Sequence, residues 1–225
     1  VLLIQKSDAP DIAKIESECA RVLGQRAIRA TLAAIDSAGG RAHYHAVDVR
    51  NDEAMSALVT HIYDTCGRID GVIHGAGVIE DKLLRHKSME SFSRVYETKV
   101  RGAQTLAKHL RDDVQFVVFF SSVSGAFGNR GQVDYAAAND ALDKLALSLN
   151  ETLPGRVVSI NWGPWGGTGM VSTELESEYE RRGISLIGMP VGIEAFMHEL
   201  DRGAPEDAQV LLMCADLEQM MGAND

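Results

Sequence analysis

Residues 114–122 read VQFVVFFSS, an apolar run that does not alternate. A strand with one wet face alternates apolar and polar side chains. A continuous run of this length suits a strand covered on both faces, as in parallel sheets flanked by helices. The rest of the chain agrees with that frame. VLLIQ (1–5) reads as a strand. Asp8 to Ala38 has a helical pattern that stops at Gly39-Gly40, and RAHYHAVDV (41–49) alternates like a strand. Asn51 is placed to cap a helix reaching about Cys66. IDGVIHGAG (69–77) is a strand with a glycine-containing turn, and a long helix follows over 91–110. Another helix is expected over 133–151, a strand at RVVSINWG (156–163), a helix over 193–203 and a last strand at AQVLLMC (208–214). Such alternation predicts an α/β fold, a doubly wound parallel sheet. With no internal repeat or linker, residues 1–225 are read as one domain.

Composition narrows the function. A formal charge of −10 argues against a nucleic-acid-binding surface, which needs a basic patch. At 45% hydrophobic and 24% charged, the chain matches ordinary soluble globular proteins. No apolar run reaches the length of a membrane span, and no signal peptide is visible. Cys19, Cys66 and Cys214 are scattered, with neither metal-like spacing nor a disulfide framework. They read as buried thiols in a protein of the reducing cytoplasm, with no metal site.

In a doubly wound sheet, ligands bind at the carboxyl ends of the strands. That rule gathers Asp48, the HGAG turn (74–77), Ser121-Ser122 and the NWGPW turn (161–165) on one rim, which describes a cofactor cleft. Tyr135 opens the helix after the Ser122 strand and can fold back toward it. Asn139, four residues on, shares its face. Lys99, on the preceding helix, can approach from the neighbouring layer. The set suits carbonyl reduction. A hydride added to a ketone leaves an alkoxide that needs a proton, which a tyrosine can give. A nearby ammonium lowers the phenol pKa, and a serine can polarise the carbonyl.

The runs FFSSVSGAFGNRGQVDYAAANDALDKLA and SINWGPWGGTGM resemble the ketoreductase domain of type I polyketide synthases, a branch of the short-chain dehydrogenase/reductase superfamily with a Rossmann-like fold. DGVIHGAGVIEDKLL and SFSRVYETKVRGAQTL are similar too, so the resemblance covers nearly the whole chain. In most of that superfamily a lysine follows the tyrosine by four residues. In polyketide ketoreductases lysine and asparagine exchange places, as in YAAAN (135–139) with ETKVRG here. The resemblance implies Tyr135 as proton donor, Ser122 as carbonyl hydrogen-bonder, Lys99 as the residue tuning the phenol, and Asn139 as the fourth member.

The resemblance also implies the cofactor. LIQKS is similar to the family's strand ending in Gly-Arg-Ser, so Lys6 and Ser7 are expected at the ribose 2′-phosphate, favouring NADPH. Asp48 and Val49 are expected at the adenine. Gly75, Ala76 and Gly77 would let the cofactor approach the backbone, and the backbone of Gly163, Pro164 and Trp165 would meet the nicotinamide amide. In place of the Leu-Asp-Asp triplet of B-type domains, which make the D-hydroxyl, the chain has Ile79-Glu80-Asp81, keeping the last acid. Where the other class carries tryptophan, the chain has Phe127. B-type stereochemistry is therefore expected. Residues 166–190 are expected to form a substrate lid, with Met170, Leu186 and Met189 as apolar contacts.

The family's strand ending in Thr-Gly-Gly, whose glycines cradle the pyrophosphate, has no counterpart in the chain. The chain is therefore expected to begin partway through its natural domain. The implied substrate is a β-ketoacyl chain on an acyl carrier protein, within a multidomain synthase. A stand-alone dehydrogenase acting on a free ketone and a non-catalytic scaffold are the competing expectations.

Overall fold

The structure is a computed structural model, and it describes residues 12–167, 179 and 184–214. The expected strand at 1–5, with Lys6 and Ser7, lies outside the described residues, as does Met170. The chain divides into two compact units, Val1–Ala46 and Val47–Asp225. In the first, helix α1 spans Ile12–Ser37 and ends at Gly39, whose φ of 81° is a backbone conformation that glycine adopts without penalty.

The second unit holds the sheet. Helix α2 (Asp52–Cys66) starts where the Asn51 side chain accepts a hydrogen bond from the Ala54 amide. Then come β1 (Gly71–His74), α3 (Met89–His109), β2 (Phe116–Ser122), the short α4 (Val123–Phe127), α5 (Val133–Asn150), β3 (Arg156–Trp162), α6 (Met189–Arg202) and β4 (Gln209–Leu212). The sheet order is β1-β2-β3-β4 and every pairing is parallel. β2 and β3 occupy the middle, which explains their unbroken apolar runs. Val117, Phe119 and Val157 pack with Ala103 of α3 and with Leu142 and Ala146 of α5 on one face. Val118, Val158, Ile160 and Trp162 pack on the other, against Phe196 and Leu200 of α6. The sheet is thus wound on both faces, as the sequence predicts.

Two expectations are corrected. Residues 41–49 form no strand, because no described strand lies alongside to complete a hydrogen-bonded ladder. All three cysteines are exposed, not buried. Cys19 sits on the open surface of α1, Cys66 is the last residue of α2, and Cys214 lies just past β4. None of these places is on a core-facing position. Among the described residues, no helix is long and apolar enough to cross a membrane, and no cluster of His, Cys, Asp or Glu could hold a metal ion.

Candidate active site

The central strands end side by side, with Ser121 opposite Asn161 and Ser122 opposite Trp162. At this rim the chain turns directly into α4. The Ser122 hydroxyl caps that helix, accepting from the Ser124 amide at 3.2 Å. α4 then crosses α5 at close range. A Cβ on Gly125 would stand 2.9 Å from Asn139 Cβ and 3.0 Å from the Asp140 nitrogen, so only glycine permits the crossing.

This crossing sets Tyr135 and Asn139 beside the end of β2. The Asn139 side-chain nitrogen donates to the Tyr135 carbonyl at 2.7 Å, and the Ser121 hydroxyl donates to the Asn139 carbonyl at 3.3 Å. Lys99 arrives from α3, 3% exposed. Its ammonium donates to the Phe120 carbonyl at 2.8 Å and lies 5.5 Å from the centre of the Tyr135 ring. Ser122, Tyr135, Asn139 and Lys99 therefore meet at one spot, drawn from β2, α5 and α3. Asn139 Oδ1 is fully buried and has no hydrogen-bond partner among the described residues. A buried acceptor left unpaired costs about 1–3 kcal/mol, so this atom awaits a donor.

Burial governs the electrostatics. It pushes the Lys99 ammonium down to about 8, opposed by the negative charge of Asp143. It raises the Tyr135 phenol above its ordinary value, against hydrogen bonds from Asn139 and Ser122 that favour the phenolate. Removing the anion from water outweighs those hydrogen bonds. Asp143 lies one turn beyond Asn139 and is wholly buried. Its carboxylate accepts from the Ser159 hydroxyl at 2.5 Å, the Asn161 amide at 2.8 Å and the Gln209 amide at 3.1 Å.

The remaining predicted positions divide. His74, the first residue of the HGAG turn, is bonded through Nε2 to the Lys99 carbonyl at 2.8 Å. A carbonyl only accepts, so Nε2 carries the proton. Burial holds His74 neutral, down to about 4. It ties α3 to the end of β1 beside the lysine. The sequence singles out only Gly75, Ala76 and Gly77 of that turn, and the role of His74 was missed. At Gly75 a Cβ would meet nothing nearer than Phe120 at 3.9 Å, so no neighbour crowds that position; Ala76 and Gly77 are half-buried. Asp48 is exposed and bound by the Arg50 guanidinium, which holds its carboxyl down to about 2, and Val49 beside it is half-buried.

In the turn after β3, the Gly163 amide donates to the Leu212 carbonyl at 2.8 Å. The Pro164 carbonyl accepts from the Ile187 amide at 2.8 Å, and the Gly166 amide donates to the Ile187 carbonyl at 3.0 Å. The Trp165 indole packs on that of Trp162, with ring centres 4.9 Å apart. The first and last parts of the expected lid are thus joined, while 168–178 and 180–183 lie outside the described residues.

In the triplet, Glu80 and Asp81 part company. Glu80 is anchored to α3 by Arg94 and Ser91, which hold its carboxyl down to about 2. Asp81, although exposed, accepts from the Gln132 amide at 2.8 Å. Partial loss of water around its carboxyl raises its pKa, and its charge is one of those acting on Tyr135. Phe127, half-buried, closes α4. Lys87, Gln132 and Asp134 were not singled out from the sequence. Lys87 meets Asp134 across 47 residues and Gln132 meets Asp81 across 51, and periodicity carries no signal for such pairs.

A parallel sheet wound on both faces, with tyrosine, serine and lysine gathered where its central strands end, defines a protein of the short-chain dehydrogenase/reductase class. Within it, the family model for the KR domain matches residues 17–167, and the chain belongs to the ketoreductase domains of type I polyketide synthases. The chain is 39% identical over 168 residues to one component of the polyunsaturated fatty acid synthase of a Thraustochytrium species, covering 74% of this chain and 6% of that protein. It is 35% identical over 195 residues to polyketide synthase PksN of Bacillus subtilis, covering 82% of this chain and 4% of that protein. The crystal structure of an N-terminal ketoreductase from the macrolactin assembly line superposes with a TM-score of 0.76 at 28% identity, over 88% of this chain and 39% of that one. The chain thus spans only a small part of these relatives.

Proposed function

We propose that this chain belongs to a domain that reduces a β-ketoacyl thioester, carried on an acyl carrier protein, to the β-hydroxyacyl thioester with NADPH. The setting is polyketide or related fatty acyl assembly beside neighbouring synthase domains, in the cytoplasm. The observation that carries the reading is the meeting of Ser122, Asn139 and Lys99 at the Tyr135 phenol.

Ser122 donates a hydrogen bond to the ketone oxygen and polarises the carbonyl. The Tyr135 phenol gives its proton to the same oxygen as negative charge develops there. Its raised pKa keeps it protonated, the form a donor must have. Lys99 stabilises the phenolate left behind. Asn139 Oδ1, buried and without a hydrogen-bond partner among the described residues, would accept from a water through which the phenol is reprotonated.

The residues fit a nicotinamide cofactor. Among the described residues nothing crowds a Cβ at Gly75, so the backbone there is open to close approach. Gly75, Ala76 and Gly77 would hold its middle, and the backbone of Gly163, Pro164 and Trp165 its nicotinamide amide. Asp48 and Val49 would hold the adenine, and Lys6 and Ser7 the 2′-phosphate. When bound, NADPH supplies the hydride for the ketone carbon. Asp81 and Phe127 would line the side on which the acyl chain enters, and the role assigned to Met170 and the rest of 166–190 is to cover that side. The retained Asp81 supports the B-type outcome, a D-hydroxyl.

Two comparisons test the reading on the natural polypeptide. A β-ketoacyl thioester on a carrier protein is expected to yield the D-hydroxy product, whereas a free small ketone turns over far more slowly. Equal rates would favour a stand-alone dehydrogenase. Lys6→Ala is expected to weaken NADPH binding more than NADH binding, and equal losses would remove the 2′-phosphate assignment.

A further inference from the structure

We propose that the buried Lys87–Asp134 ion pair is a positioning clamp. It locks segment 79–87 onto the first turn of the helix that carries Tyr135, and so fixes how the acyl chain lies against the phenol. The proposal rests on the reading of Tyr135 as proton donor to a ketone.

The geometry joins the two places through one carboxylate. Asp134 Oδ2 accepts from the Lys87 ammonium at 2.7 Å, and the two side chains are 2% and 1% exposed. Asp134 Oδ1 accepts from the Tyr135 amide at 2.9 Å. The same ammonium donates back to the Glu80 carbonyl, folding 80–87 around itself. Two more bonds run alongside, from the Lys82 amide to the Gly131 carbonyl at 2.9 Å and from the Gln132 amide to Asp81 at 2.8 Å. Glu80, through Arg94 and Ser91, fixes the far side of the segment to α3. Asp81, the acid whose charge reaches Tyr135, is thereby held between two rigid elements.

Stability alone does not call for this pair. Desolvating two charges offsets much of their attraction, and a neutral pair of similar volume often does as well. A carboxylate serving only the positive end of α5 could sit in water, since first-turn acids act there without a buried partner. A charged pair does have a directional demand. Misplacement disrupts it steeply, so it holds the segment in one register where apolar contacts would allow several.

The test uses Lys87→Met/Asp134→Asn, which leaves no buried charge and keeps an acceptor for the Tyr135 amide. Hydrogen exchange of the peptide covering 79–87 is expected to quicken by about tenfold or more as the segment opens locally. Thioester KM is expected to rise about tenfold with a smaller change in kcat, because a misplaced chain is a positioning defect. The excess of one hydroxyl enantiomer is expected to fall. Unchanged exchange overturns the clamp whether or not the wild-type protein reduces the thioester, whereas absent reduction by a wild type with a protected segment overturns only the reading beneath it. A loss of kcat with KM and enantiomer ratio unchanged also overturns the clamp, since that marks general loosening. Asp134→Glu is the second probe, should the double variant not fold. It keeps the charge and displaces the segment by one methylene. The clamp predicts a changed enantiomer ratio, and an unchanged one contradicts it.

Discussion

Tyr135 carries two opposing demands. To give a proton it must stay protonated until the hydride arrives, and then its anion must be tolerated. Burial meets the first demand by raising the phenol, and the Asn139 and Ser122 side chains help meet the second. Lys99 is the weak point of the arrangement, because burial already brings its ammonium down to about 8. The Asp143 charge, a turn beyond Asn139 on the same helix, works against that fall. Lys99 therefore titrates before Tyr135, and reduction is expected to decline as pH rises through about 8. With Asp143→Asn the opposing charge is gone, and the alkaline limb of kcat/KM should move to lower pH. A limb that stays in place would detach Lys99 from the reaction.

At the scale of elements, the site depends on how closely α4 crosses α5. Gly125→Ala places a methyl group 2.9 Å from Asn139 Cβ, so one helix must shift. Overpacking of this kind costs roughly 1–3 kcal/mol, and here it moves the residue beside Tyr135. The variant is expected to lose both stability and turnover in denaturation and rate measurements; wild-type turnover would show that the crossing does not position Asn139. α4 was not legible in the sequence. Its five residues, VSGAF, are too few to show a helical period, and a glycine in a Ser-rich stretch reads as a loop. β2, β3, α3 and α5 were legible, because a strand buried on both faces and a long amphipathic helix write their environment into their own residues. RAHYHAVDV shows the reverse. Its alternation is real, but a strand also needs a neighbour, which no pattern within nine residues can supply. The site divides likewise. Ser122, Tyr135 and Asn139 were found through short spacings and Lys99 through its place on the preceding helix, to which the resemblance added its role, whereas Lys87 and Asp134 stand 47 residues apart and meet only in the fold.

Over the whole molecule, the parallel sheet places its chemistry at one rim and pins it with buried polar groups that respond to pH. His74 titrates near 4 when folded and at about 6.5 when free. Between those values the unfolded chain binds the proton the folded chain refuses, so stability falls as pH falls from about 6.5 toward 4. The shift corresponds to roughly 3 kcal/mol at 1.36 kcal/mol per pH unit. His74→Gln keeps a donor for the Lys99 carbonyl without a titrating group. Denaturant unfolding of the variant is expected to flatten this limb, and an unaltered limb would mean that other groups set the acid stability. The account as a whole turns on a proton passing from one phenol. The most direct measurement is single-turnover reduction of a β-ketoacyl thioester by the natural polypeptide and by Tyr135→Phe, with NADPH binding measured on both. The account predicts a fall in rate of about a hundredfold or more, in the range general acid catalysis contributes, with NADPH affinity nearly unchanged. Equal rates in the two proteins would contradict it.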